Sequence, residues 1–359
     1  MRREPGGARV DERLDLRRRR VLVTGGAGFI GSNFVHHFLR RFPESHVVVL
    51  DALTYAGRRE NLDGLPTRSL TFIHGDIRDP AAAAKAMAGC DLVLNFAAES
   101  HVDRSIEAPG EFIQTDVFGV AVLCEEARRQ KIERFIQVST DEVYGEVLEG
   151  AANENWPLMP RSPYAASKAG GDRLAYAYHA TYDLPVVVTR CANNYGPRQY
   201  PEKLVPLFVT NAIDGEPLPV YGSGKNRRDW IHVEDHCAAL VALLEQPGVA
   251  GETFNIGAGN ELDVLTLTSA ILEILGKPHT LVRHVQDRPG HDRRYAVDFT
   301  KIARVTGWKP EVALSEGLKG TVDWYRAHEV WWRPIKEGEF RAYYERMYGQ
   351  RKILKEVRA

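Results

Sequence analysis

The stretch Arg20–Gly31, RVLVTGGAGFIG, constrains this chain more than any other. Val21–Val23 form a short apolar run that breaks into Gly25, Gly28 and Gly31, and Phe34, Val35 and Phe38 then follow at helical spacing. That pattern predicts a buried strand, a tight turn and the first turns of a helix. Glycines let a backbone come close to a pyrophosphate, and the unpaired N–H groups and positive dipole end of a helix start favour the anion. A glycine turn alone occurs in many α/β chains. Here the next apolar run, His46–Leu50, ends in Asp51, where an acid meets the ribose of a dinucleotide, and a third run, Leu70–Ile73, ends in Gly75-Asp76-Ile77. An acid at Asp51 repels a 2′-phosphate, so the expected cofactor is NAD; Arg58 and Arg59, residues that hold such a phosphate, pull the other way.

Further along, the segment Pro80–Met87 reads as a short alanine-rich helix, Asp91–Asn95 as a fourth strand, Glu111–Gln130 as a long helix and Arg134–Ser139 as a fifth strand. Strands alternating with helices predict a doubly wound parallel Rossmann-type sheet with right-handed crossovers. Ligands of such sheets lie beyond the carboxyl ends of the strands, and Asp51, Asp76, Ala97 and Ser139-Thr140 all fall on that edge. The small residues Ala97, Ala98 and Ser100 let a nicotinamide ribose lie against the backbone.

From about Leu204 prolines and glycines cut the apolar runs, and a smaller C-terminal α/β substrate lobe is expected. Its helices are predicted at Leu204–Asp214, Val233–Leu244, Val264–Leu275 and Leu314–Ala327, and its strands near Leu218–Tyr221, Thr253–Ile256 and Thr280–His284. The division is thus 1–19 as a disordered basic extension, 20–200 as the NAD-binding domain with return segments from the C-terminal half, 201–332 as the second lobe and 333–359 as a helical tail. With 47 basic and 48 acidic residues, nothing favours a nucleic-acid partner held by counterion release. No run has the length of a membrane span. The four cysteines are scattered, which predicts buried thiols in a reducing cytoplasm and neither disulfides nor a metal site.

Tyr164 and Lys168, four apart at the start of a helical stretch, share one helix face. An ammonium about 4 Å from a phenol, at an effective dielectric of ~20, is worth ~4 kcal/mol. That is roughly three pKa units, enough to make the phenol a general base near neutrality. Such pairs are also common on solvated helices; the position after a fifth strand is what favours chemistry. Thr140 offers a hydroxyl beside Tyr164, and the adjacent Asp141 and Glu142 are either an acid and a base with split pKa values or a solvated acidic turn.

The motifs Gly25-x-x-Gly28-x-x-Gly31, Tyr164-x-x-x-Lys168 and Asn193–Pro197 resemble the extended short-chain dehydrogenase/reductase family of nucleotide-sugar enzymes. Ser139–Gly145 (STDEVYG), Pro201–Pro206, Arg228-Asp229-Trp230 and Asp287–Tyr295 are similar to its dTDP-glucose 4,6-dehydratase branch, over about Val21–Trp332. The resemblance implies that Tyr164, supported by Lys168 and Thr140, removes the C4 hydroxyl proton as NAD accepts the C4 hydride. Glu142 then takes the C5 proton, Asp141 protonates the leaving C6 hydroxyl, and the hydride returns to C6. It implies NAD contacts from Gly25, Gly28, Phe29, Ile30, Gly31, Asp51, Asp76, Ile77, Ala97, Ala98, Ser100, Thr115, Tyr164, Lys168 and Asn194. Substrate contacts are implied for His101, Thr140, Asn193, Lys203, Leu204 and Pro219, with Tyr221 stacking on the base. Arg228, Asn260, Arg288 and His291 complete that set, the arginines forking onto phosphate oxygens.

The resemblance also implies a homodimer through the helices Glu111–Gln130 and Tyr164–Tyr182, with Val120, Leu123, Leu174, Tyr176 and Tyr178 as apolar contacts. The chain departs from the pattern at His232, where many members carry Tyr, and in a short Asn260–Asp263 loop. Three alternatives stay open: the same reaction on UDP-glucose, a nucleotide-sugar 4-epimerase or decarboxylase, and a non-catalytic NAD-binding regulator.

Overall fold

The computed structural model describes residues 13–349 and 351–356. Near-continuous Val/Ile/Leu runs form the central strands, as expected for a sheet covered on both faces. Those strands are β1 (Arg20–Thr24), β2 (His46–Asp51), β3 (Leu70–His74), β4 (Leu92–Asn95), β5 (Arg134–Thr140) and β6 (Val186–Cys191). The smaller strands are β7 (Asn193–Tyr195), β8 (Leu218–Tyr221), β9 (Arg227–His232), β10 (Thr253–Ile256), β11 (Glu261–Asp263), β12 (Val282–Val285) and β13 (Ile353–Glu356). The main sheet is parallel throughout, in the order β3-β2-β1-β4-β5-β6-β10. Its order reverses between β1 and β4, so the glycine turn after β1 faces the loop after β4 across a crevice.

Two small sheets, β11-β9-β7 and β13-β12-β8, stand apart from the main sheet, and a second buried cluster includes Val205, Phe208, Leu218, Leu267, Ile271 and Tyr325. One expected element changes place. β10 pairs with β6 as the seventh strand of the main sheet, not as part of the smaller lobe, and the helix Val233–Glu245 packs on the helix Phe29–Arg41. These are return segments; Phe254 and Ile256 bury with the main-sheet core.

The expected long helix Glu111–Gln130 is instead Pro109–Ile113, a π-helical turn over Gln114–Gly119, and Val120–Gln130. The helix Pro163–Tyr182 lies against that wider turn so closely that a Cβ on Gly171 would stand 2.2 Å from the Asp116 carbonyl oxygen. The turn also presents Asp116 to Ser167 Oγ, 2.7 Å away, and to the Glu99 backbone N–H, 2.9 Å away.

Both chain ends depart from expectation. Residues 1–12 of the proposed extension lie outside the described residues, but 13–19 are docked rather than solvated. Leu16 is 1% exposed in the main core, Leu14 N–H donates to the Glu245 carbonyl at 2.8 Å, and Arg19 pairs with Glu133 at 2.9 Å. Two apolar anchors thus outweigh the solvation of the arginines around them. The tail is helical over Glu329–Glu337 and Glu339–Tyr344, then ends in β13, which satisfies the otherwise open edge of β12. No described helix is long and apolar enough to cross a membrane.

Candidate active site

The glycine turn is shaped by close approach. Gly25 has φ +65°, and a Cβ there would lie 2.6 Å from Ala97 N; one on Gly31 would lie 2.3 Å from the Gly25 carbonyl oxygen. The helix Phe29–Arg41 starts on Gly28 with no side-chain cap, leaving first-turn N–H groups without a side-chain acceptor. They open on a cleft of about 310 Å³. Every residue assigned to the cofactor lines it: Gly25, Gly28, Phe29, Ile30, Gly31, Asp51, Asp76, Ile77, Ala97, Ala98, Ser100, Thr115, Tyr164, Lys168 and Asn194. Asp51 is buried at the end of β2, its oxygens accepting from Ala27 N and Leu53 N at 2.8 Å each, and burial raises its pKa.

Thr140 ends β5, and Asp141 and Glu142 begin the 3-10 turn Asp141–Tyr144 that follows it, all three in the wall of the same cleft. Asp141 is 3% exposed; its Oδ1 accepts from Thr140 Oγ at 3.3 Å, while Oδ2 has no hydrogen-bond partner among the described residues. Burial and then the neighbouring Glu142 charge push its carboxyl up to about 8, so it holds its proton at neutral pH. Burial also raises Glu142, but Arg288, Arg228 and Lys203 oppose that rise. The two neighbours therefore sit in unlike electrostatic surroundings.

Tyr164 and Lys168 share the cleft, but not the electrostatics expected from spacing alone. Lys168 Nζ donates to the Val138 carbonyl at 2.8 Å, and burial lowers its pKa. The Tyr164 phenol is held well above 10 by burial and by the negative charges of Glu142 and Asp116, against a hydrogen bond with Thr140. A buried ring flanked by carboxylates resists ionisation more than one ammonium on the same helix face relieves it. The expected fall in phenol pKa is thus absent from the protein alone.

A second cavity of about 180 Å³ adjoins the cleft; Ser100, Glu142, Asn193, Glu202 and Lys203 line both. Of the substrate residues, His101, Leu204, Pro219, Tyr221, Arg228, Arg288 and His291 line it with Asn193 and Lys203. Arg228 Nη2 donates to the Asp292 carbonyl at 2.9 Å, and its guanidinium lies 4.1 Å from the Tyr295 ring centroid. His101 is buried, edge-on to Tyr343, and burial brings its pKa to about 4, which keeps it neutral. Asn260 is the exception. It lines neither cavity, and its Nδ2 donates to the Trp230 carbonyl at 3.2 Å. His232 is also outside both cavities; its Nδ1 accepts from Glu234 N at 3.3 Å, capping the next helix.

Comparison with known proteins gives the same family by sequence and by shape. A family model described as GDP-mannose 4,6 dehydratase matches residues 22–321. A dTDP-glucose 4,6-dehydratase of Streptomyces niveus is 52% identical over 322 residues, 88% of this chain and 96% of the relative. The chain belongs to the dTDP-glucose 4,6-dehydratase family. The solved dTDP-glucose 4,6-dehydratase DesIV of Streptomyces venezuelae, with NAD bound, superposes with a TM-score of 0.85 at 51% identity, covering 88% of this chain and all (100%) of that one. A UDP-glucose 4-epimerase of Thermotoga maritima reaches a TM-score of 0.80 at 32% identity, covering 86% and 99%, so the fold extends beyond the dTDP-glucose 4,6-dehydratases.

Several site residues of this dTDP-glucose 4,6-dehydratase family member were not legible as such. His236, wholly buried in the cleft wall, shares a 3.0 Å hydrogen bond between its Nδ1 and Asn194 Oδ1; burial takes its pKa to about 3. Tyr295 donates to Asp292 at 2.7 Å and lies 3.4 Å from Glu142 Oε2. Asp103 joins Tyr221 to Arg288. Glu202 pairs with Arg104 at 3.1 Å between the two cavities. Glu202 and Tyr295 carried a sequence signal, their places in the Pro201–Pro206 and Asp287–Tyr295 motifs; Asp103 and His236 carried none.

Proposed function

We propose that this chain converts dTDP-glucose to dTDP-4-keto-6-deoxyglucose, a lyase reaction with NAD as resident cofactor. The carrying observation is the pair Asp141–Glu142: one carboxyl holds its proton, and the other faces three cations where the two cavities meet. Elimination of water across C5 and C6 needs an acid beside a base, whereas epimerisation at C4 needs only the Tyr164, Lys168 and Thr140 set and no second acid–base pair. That supports dehydration over the epimerase reading on the same fold.

The residues present fit NAD. The uncapped helix start and the crowded glycine turn suit a diphosphate, and the Asp51 carboxylate at the end of β2 suits ribose hydroxyls. Bound NAD supplies a hydride acceptor at C4 that gives the hydride back at C6. Tyr164, protonated in the protein alone, would accept the C4 hydroxyl proton once ionised, which the positive charge of a bound nicotinamide beside the ring would favour, with Thr140 and Lys168 orienting it. Oxidation at C4 acidifies C5–H, and Glu142 takes that proton. Asp141 gives its proton to the C6 oxygen, which leaves as water, and a proton returned to C5 completes the product. Lys203, Arg228 and Arg288 hold the diphosphate, while Pro219 and Tyr221 flank the base.

The proposed assembly is a homodimer. Ile113, Phe118, Tyr176 and Tyr182 are 40–53% exposed on the helices expected to pair. Val120 and Leu123, expected to be contacts, are buried against the chain's own sheet and are not available. The proposed compartment is the cytoplasm, in keeping with four buried, unpaired thiols.

The test is product mass after incubation with dTDP-glucose and, separately, UDP-glucose. Loss of one water from dTDP-glucose without added NAD is expected. Water loss from UDP-glucose alone would reassign the nucleotide, and unchanged mass with altered stereochemistry would make the chain an epimerase.

A further inference from the structure

The family model matches this chain to residue 321, and the helix Glu329–Glu337 beyond it packs back against the loop 52–62. That loop supplies Ala52, Thr54, Ala56 and Gly57 to the wall of the cofactor cleft. The Trp331 indole N–H donates to Asn61 Oδ1 at 2.9 Å, across 270 residues of sequence. Asn61 is 1% exposed, and its Nδ2 donates to the Ala27 carbonyl at 2.8 Å. The Arg58 backbone N–H donates to the same carbonyl at 2.9 Å, and the Ala27 N–H donates to Asp51. Ala27 is thus held at both of its polar groups, one residue before the uncapped helix start on Gly28. A second tail residue steadies the other end of the loop. The Arg104 guanidinium lies between the Tyr55 and Tyr343 rings, 3.8 and 4.3 Å from their centroids.

We propose that Trp331 is a positioning residue of the cofactor site, which acts through Asn61 to keep the glycine turn in the shape that retains NAD. The proposal rests on reading that cleft as the NAD site. The chemistry of the relay fixes its direction. An indole N–H only donates and a backbone carbonyl only accepts, so a single orientation of the Asn61 amide satisfies both. Without the indole, Asn61 Oδ1 loses that donor in a buried setting, and the hold of Nδ2 on Ala27 weakens with it. The turn beyond has no room to adjust: Gly25 and Gly31 already stand at close approach to Ala97 and to each other. A shift at Ala27 therefore moves the first-turn N–H groups that suit a diphosphate.

Release of radiolabelled NAD from the loaded full chain into excess unlabelled NAD tests this. Trp331→Phe keeps a ring but loses the donor. Release should quicken about twofold to tenfold, the scale of one hydrogen bond, while the thermal midpoint stays near wild type. Asn61→Ala should quicken release at least as much, and adding Trp331→Phe to Asn61→Ala should change it no further. Equal release by wild type and Trp331→Phe would overturn the proposal. So would the same quickening by Trp331→Phe in both backgrounds, which would mean that the ring acts by packing and not through Asn61. A wild-type chain that takes up no NAD would instead overturn the cofactor reading beneath it.

Discussion

Arg288 donates to Asp103 at 3.0 Å across 185 residues of sequence, joining the helix Val102–Glu107 to the loop that carries Asp287–His291. The other Asp103 oxygen accepts from the Tyr221 hydroxyl at 2.9 Å, so one buried carboxylate orients both a cation and a ring of the nucleotide cavity. A charge-assisted hydrogen bond contributes about 1.5–3 kcal/mol, or at least tenfold in affinity. Asp103→Asn keeps an acceptor for Tyr221 but removes the charge facing Arg288. KM for the nucleotide sugar should rise about tenfold with kcat little changed. Steady-state kinetics check this; a fall in kcat with unchanged KM would assign Asp103 to the reacting sugar instead.

Asp141 gives a pH dependence with a defined sign. Its folded pKa, about 8, lies above its ordinary value of 3.8. The native state therefore keeps a proton that the unfolded chain releases across that window, and stability falls as pH rises from about 4 through 8. Asp141→Asn should raise Tm most at the alkaline end and flatten its pH dependence, read by thermal unfolding in a buffer series. Turnover by the native chain should fall as pH passes about 8, because the acid for the C6 oxygen is lost. A native Tm that climbs steadily to pH 9 would contradict this assignment.

Glu142→Gln removes the base but keeps the volume and a polar tip. Loss of general-base catalysis costs about 10²–10⁴ in rate, and the variant should still bind dTDP. In D₂O the native chain should place deuterium at C5 of the product, and the variant should exchange C5 no faster than it turns over. Dehydration at the native rate by Glu142→Gln would remove Glu142 from the proton step.

What could be read from sequence was local and periodic. β1, its glycine turn and the run ending at Asp51 are each encoded within a dozen residues, and all the cofactor residues converge on one cleft. The Asp141–Glu142 pair was legible because the acids are adjacent, and split pKa values were one of its two readings; the cause was not legible, since burial and Arg228, Arg288 and Lys203 come from distant segments. The Tyr164–Lys168 spacing likewise gave the shared helix face but neither the Val138 carbonyl nor the Asp116 charge. Asp103 and His236 meet partners 42 to 185 residues away, which no local pattern carries. β10 misled for the same reason: a four-residue strand does not say which sheet it joins.

The docked start of the chain gives the last prediction. Leu16 is 1% exposed among main-core residues, and its carbonyl accepts from Ser45 Oγ at 2.7 Å. Arg17, next to it, has a side chain 71% exposed and, among the described residues, pairs with nearby Asp15 at 2.8 Å. Truncating a buried leucine costs about 2–5 kcal/mol, whereas an exposed ion pair contributes about 0–1 kcal/mol. Leu16→Ala should therefore lower the denaturant midpoint clearly, while Arg17→Ala leaves it within error. Both variants should keep native kcat and KM, because neither residue lines either cavity. Equal midpoints for the two would show that the segment adds nothing to the fold, and that the burial of Leu16 is offset by the entropy of ordering residues 13–19.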